Sequence, residues 1–133
     1  MSATRVEKVL YWIATLLMAA LMLFSAQLYF FNHAAAVGFF ELFGYPAYVV
    51  YPLAVLKLTA LAVILANRWR NLKDIAYGAY YLNMIMATAA HLLAGDNPVH
   101  AYVGLVAVPL SYVLSNRVRG VPAHDAFLLA PRR

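Results

Sequence analysis

Four long apolar runs constrain this chain more than any other feature. A helix needs about 20 mostly apolar residues to cross a bilayer. Four stretches suit that role, residues 9–31, 45–66, 75–94 and 99–114, the last being the shortest. The breaks between them fit. Gly44 and Pro46 open the second run, and Gly95-Asp96-Asn97-Pro98 turns the chain into the fourth, with Asp96 or Asn97 as cap and Pro98 as start. The stretch from Asn67 to Asp74 is the one strongly polar interior loop. The expected fold is all-α: a transmembrane four-helix bundle over residues 1–116, then a flexible cytoplasmic tail, 117–133.

Composition excludes the soluble alternative. The chain is 65% apolar and 11% charged. A soluble domain carries about 25% charged and about 45–50% apolar residues. The net charge of +5 does not indicate nucleic acid, because the basic residues fall in short clusters between apolar runs. The absence of cysteine excludes disulfides, thiolate metal sites and paired-cysteine redox chemistry.

Those basic clusters predict orientation. Arg5 and Lys8 precede the first run, Arg68, Arg70 and Lys73 lie between the second and third, and Arg117, Arg119, Arg132 and Arg133 follow the fourth. The other two loops contain no Lys or Arg. The positive-inside bias then places both termini in the cytoplasm. The expected location is the cytoplasmic membrane of a bacterium, crossed several times. A cleaved signal peptide is not expected, because the first apolar run outlasts the ~7–15 residues of a signal h-region. Tyrosines and tryptophans near both ends of the runs read as interfacial belts. The loop 32–44, with Phe39, Phe40, Leu42 and Phe43 around Glu41, predicts a short interfacial helix.

Membrane helices associate through small residues and a few polar ones. In the third run Ala76, Tyr80, Asn83, Ala87, Ala90 and Ala94 form one helical stripe, with His91 at its edge. Ala54, Lys57, Ala60, Leu61 and Ile64 make a comparable stripe in the second run, and Ala20, Phe24 and Gln27 in the first. All three are expected to face the bundle. Pro52 and Pro109 each remove a backbone hydrogen bond, freeing the carbonyls of Tyr48 and Leu105, and are expected to bend their helices.

Lys57 is the sharpest signal. At about 1.5 Å per residue it lies roughly 16–18 Å from either end of its run. A lysine there costs about 2.5–3.5 kcal/mol, and no Asp or Glu occurs in any run to pair with it. It must face the bundle and either bond Asn83, a tyrosine or carbonyls, lose its proton, or contact a bound polar group. Asn83 lies at similar depth and reads equally as glue between helices. Gln27, His33, Glu41, His91, Asp96 and His100 gather at the outer end. Their spacing matches no metal motif, and only His91 is clearly inside a run, so neither metal nor haem is expected. His33 and His100 read as solvated loop residues. The candidate ligand-binding residues are Lys57, Asn83, His91, Gln27, Tyr48 and Tyr80; no catalytic residue is assigned.

Several short motifs, in order, carry a resemblance: Tyr11-Trp12, Gly44-Tyr45-Pro46, Lys57, Asp74-Ile75-Ala76-Tyr77 and Ala90-His91. With these the chain resembles the DoxX-like membrane proteins over roughly residues 9–115. The resemblance implies a compact four-helix membrane bundle with Lys57 and His91 as positions of interest. Some relatives are linked to quinone-dependent sulfur oxidation or oxidative-stress assemblies, and distant ones look like membrane chaperones. Three classes of function remain open. One is a non-enzymatic accessory or assembly factor binding a hydrophobic ligand, lipid or partner helix. The second is a quinone-interacting subunit of an oxidoreductase, and the third a small oligomeric transporter or channel. The expected partners are the lipid bilayer and either another membrane protein or a second copy.

Overall fold

The computed structural model describes residues 2–127 of the 133. Arg132 and Arg133, counted above among the cytoplasmic charges, lie outside the described residues. The described chain is helical: α1 (Arg5–Phe31), α2 (His33–Leu42), α3 (Val50–Ala66), α4 (Arg70–Leu93) and α5 (Val99–Arg119), with a 3-10 turn at Ala47–Val49. There are thus five helices where four were expected. The extra one is the short helix anticipated in the first loop. α1, the run Ala47–Ala66 and α5 are long and apolar enough to cross a membrane. α4 has the length, 24 residues, but Lys73, Asp74, Asn83 and His91 lower its apolarity.

Local sequence explains the boundaries. α1 starts four residues before the expected position because Thr4 and Glu7 form a capping box: Glu7 N–H donates to Thr4 Oγ1 (3.2 Å) and Thr4 N–H to Glu7 Oε2 (2.8 Å). α3 ends on Asn67 in the left-handed region, φ 49°. Asn tolerates that conformation better than most residues. α5 is entered at Pro98, and Asn97 Oδ1 accepts from Val99 N–H at 3.2 Å. Pro109 lies inside α5 as expected. Pro52 does not behave as expected. It falls in the first turn of α3, where its missing N–H has no intrahelical partner to lose. The anticipated mid-span bend therefore has no cause.

The four long helices pack in a ring: α1 against α3 and α5, and α4 against α3 and α5. Met18 and Met22 of α1, Leu61 and Ile64 of α3, Tyr77, Tyr80 and Met84 of α4 and Val108 of α5 form the core. At Gly104, α5 approaches α4 so closely that a Cβ would overlap Met84 Sδ and lie 2.8 Å from its Cγ. Outward faces are apolar: Leu16, Leu56, Leu82 and Val106 are 60–67% exposed. Meanwhile Thr15, Lys57, Lys73, Ser111 and Ser115 are buried. Apolar residues outside and polar ones inside suit hydrocarbon surroundings and would be a liability in water.

One end of the ring is basic. There Arg117 of α5 pairs with Glu7 of α1 at 3.0 Å. α5 continues to Arg119, into the segment expected as a tail from residue 117, and residues 124–126 lie against the start of α4. Arg70 N–H donates to the His124 carbonyl (2.8 Å), and Ala126 N–H to Asn71 Oδ1 (2.6 Å). The α3–α4 turn leaves backbone and amide groups free at that end, and this segment satisfies them.

Candidate functional site

Interior polar groups occupy three levels. At the basic end, Lys73 is 1% exposed. Its ammonium donates to Asn67 Oδ1 (2.9 Å), Ser115 Oγ (3.1 Å) and Asn116 Oδ1 (2.6 Å). An ammonium has three N–H groups, so this set is complete. Read from sequence as a loop charge, Lys73 is in fact buried, because α4 starts at Arg70 and carries it into the first turn. One level further in, Ser111 Oγ is 2.7 Å from both Thr15 Oγ1 and Tyr77 OH. Tyr11 OH is buried nearby in the fold without a partner.

Nearer the α2 end is the third level, Lys57. It is 6% exposed and points into the bundle, as its stripe predicted. Its ammonium donates to Ser25 Oγ at 2.6 Å and Tyr29 OH at 3.2 Å, both from α1. It also stands 4.7 Å from the centroid of the Tyr29 ring, in cation–π range. No carboxylate pairs with it among the described residues.

The other candidate residues are more scattered. Tyr80 OH donates to the backbone carbonyl of Lys57, not to its amine side. Asn83 faces inward, but its Oδ1 is buried without a partner and makes no bond to Lys57. His91 Nδ1 lies 2.9 Å from Asp96 Oδ2, with the His100 and Phe43 rings packed edge-on at 4.7 Å and 4.9 Å. The Asn97 backbone N–H, and after it His91, hold the Asp96 carboxyl below the usual carboxylate range. His100 lies in the first turn of α5 rather than in a loop, and is solvent-exposed as expected, while His33 is half-buried and stacked on Tyr51 at 4.0 Å rather than solvated. Tyr48 is 78% exposed, away from the interior. Gln27 is exposed too, as are Ala20 and Phe24. The inward face of α1 is instead Tyr11, Thr15, Met18, Met22 and Ala26. Gln27 follows Ser25 by two residues, about 200° around a helix of 3.6 residues per turn. When Ser25 faces Lys57, Gln27 must face out.

Ser25 and Tyr29 are the partners of Lys57 that sequence reading missed. Their signal was a hydroxyl pair spaced by four inside an apolar run. Above Lys57, Tyr29 packs edge-on to Phe40 of α2 (5.4 Å), and Phe40 lies 6.0 Å from Tyr45. Tyr45 in turn lines an apolar cleft of about 230 Å³ between the end of α2 and α4, with Leu42, Phe43, Met86, Ala90 and Leu93. That cleft does not include Lys57, so two aromatic rings separate the apolar recess from the ammonium. No metal-binding cluster of His, Asp or Glu occurs among the described residues.

Comparison with curated proteins and with solved structures finds no match. A family model does match, over residues 13–127, which takes in the Lys57 cluster, the α2 cleft and the docked C-terminal segment. This small helical membrane protein belongs to the DoxX-like family.

Proposed function

We propose that this protein is a non-enzymatic accessory or assembly factor of the bacterial cytoplasmic membrane that holds a hydrophobic ligand or lipid in its bundle at Lys57. The observation that carries this reading is Lys57 itself: a buried ammonium bonded only to two neutral hydroxyls. An ionisable group inside a membrane is costly and functional by default. A structural role would be served as well by an amide or hydroxyl, without the desolvation cost of a charge.

The reading includes four spans with both termini cytoplasmic. Its support is that α4, at about 1.5 Å per residue, is roughly 36 Å long and packs between α3 and α5 as a full member of the ring. The Lys and Arg distribution supports the orientation. A quinone head group is the second reading, favoured by the His91–Asp96 pair. An imidazole backed by a carboxylate is suited to passing a proton.

One experiment tests the reading. Wild type and Lys57→Met are purified from the same membranes, extracted with solvent, and the extracts compared by mass spectrometry. The expected result is one amphiphile equimolar with wild type and reduced by about tenfold or more in Lys57→Met, where tenfold is the loss of ~1.4 kcal/mol of binding. A quinone as that molecule selects the second reading. Equal recovery from both proteins, or none from either, overturns the proposal.

A further inference from the structure

The hydrogen count at Lys57 is unbalanced. In its protonated form Lys57 brings three N–H groups, and Ser25 and Tyr29 bring one O–H each. Ammonium donation to both hydroxyl oxygens uses two of these five hydrogens. The third N–H has no acceptor among the hydrogen bonds of the described residues, and the two O–H groups have none beyond a contact between Ser25 and Tyr29 themselves. Tyr11 OH is also buried without a partner, but several other hydroxyls behave differently. Thr59 and Thr88 each donate to the carbonyl four residues back, at 2.8 Å, and Thr15, Ser111 and Tyr77 bond one another. At the basic end, Lys73 meets three oxygens. Among the described residues the Lys57 cluster alone gathers more donor hydrogens around a positive charge than it has acceptors for.

Such a cluster complements an oxyanion. Two or more donors converging with a cation make the strong, charge-assisted contacts that carboxylates and phosphates take. A neutral carbonyl would accept from the ammonium but leave the charge uncompensated in a medium of low dielectric constant. The surroundings specify the rest of the ligand. Beyond Tyr29 and Phe40 lies Tyr45 and the apolar cleft against α4. The Tyr29 and Phe40 rings separate the cleft from Lys57, so the hydrocarbon part of a ligand whose head sits at Lys57 must run past these two rings to reach it.

We infer that Lys57, Ser25 and Tyr29 form a binding site for the oxyanion head of an amphiphile, either a fatty carboxylate or the phosphate of an acidic lipid. The inference rests on the reading that the bundle takes up an amphiphile at Lys57, and adds the charge of its head group.

The test uses the full chain, stripped of lipid in a neutral detergent at pH 8. Hexadecanoate, hexadecanol and dihexadecanoyl phosphatidylglycerol are titrated separately, with binding followed by native mass spectrometry. At least one of the two anionic probes is expected to bind about tenfold or more tighter than hexadecanol. The anionic probe that binds tighter identifies carboxylate or phosphate as the source. Lys57→Gln is expected to abolish the preference, and Lys57→Arg to keep it. Tyr29→Phe, which keeps the ring and removes one donor, is expected to weaken the anion by a few-fold and leave hexadecanol unchanged; it serves if Lys57→Gln does not fold. Equal binding of hexadecanol and both anions overturns the inference, as does an anion preference that survives in Lys57→Gln. Either result leaves the broader reading standing if the natural amphiphile is still lost from Lys57→Met on extraction. Failure of all three probes to bind overturns the inference, and the extraction result then decides the broader reading separately.

Discussion

Lys57→Met should raise the stability of the lipid-stripped protein in neutral detergent, by about 1–2 kcal/mol. In an unfolded chain within a micelle the ammonium reaches water. Folding removes that water and returns two neutral hydroxyls, the face of the Tyr29 ring and no anion. The effective cost of burying an ion is several kcal/mol, while each hydrogen bond to a charged group returns about 1.5–3 kcal/mol. One N–H is left without an acceptor, and that deficit decides the sign. Methionine has a similar length and no charge. The hydroxyls it releases are only partly buried, and Ser25 can turn to a carbonyl of its own helix. Thermal melts of stripped protein measure the effect. The comparison must exclude bound amphiphile, because a ligand that binds only the folded state would stabilise wild type by mass action. A stability loss above about 1 kcal/mol would show that Lys57 is a structural clamp, contrary to the account.

The same substitution at the other buried lysine should act in the opposite direction. Lys73→Met is expected to destabilise the protein by about 3 kcal/mol or more, from three lost bonds to an ammonium and the acceptors left behind. Here every N–H is satisfied. Asn67 cannot rotate to rescue its Oδ1, because its Nδ2 donates to the carbonyls of Arg119 (3.4 Å) and Gly120 (3.2 Å). Ser115, 1% exposed, loses its donor too. Lys73 therefore joins the α3–α4 turn to the end of α5, where the C-terminal segment docks. Melting temperature and proteolysis after residue 119 both report the loss. Unchanged values would mean that the three bonds contribute nothing net.

The long-range outline of this protein is legible in its sequence because hydrocarbon leaves few solutions. Apolar runs fix the long helices, the Gly and Pro breaks fix the turns, and the stripe around Lys57 fixes the inward face of α3. The aromatic loop is read as a short helix, which α2 is. What escapes sequence reading is set by neighbours. The face of α1 is ambiguous in a run where nearly every residue is apolar, and only the partnership of Ser25 and Tyr29 with Lys57 settles it against Gln27. Lys73 is misread because charge near an apolar run signals topology in general, and its three oxygen partners lie on α3's end and α5, more than 40 residues distant for two of them. Pro52 is misplaced by a boundary error: a helix starting at Val50 rather than Tyr45 turns a kink into a tolerated first-turn proline. The Thr4-x-x-Glu7 capping box was available in the sequence and marks the true start of α1.

The claim on which everything depends is that α3 lies in hydrocarbon with Lys57 turned away from it. The chain has no cysteine, so single cysteines at positions 54 to 61 can each carry one spin label in protein reconstituted into vesicles. Accessibility to oxygen, which concentrates in hydrocarbon, is compared with accessibility to a water-soluble nickel chelate. Oxygen maxima are expected at Val55, Leu56 and Leu58, which are 54%, 63% and 37% exposed, and minima at Ala54, Lys57 and Leu61, at 0%, 6% and 4%. The nickel chelate should be excluded throughout. Strong nickel accessibility at Val55 or Leu56, or an oxygen maximum at position 57, would contradict that claim.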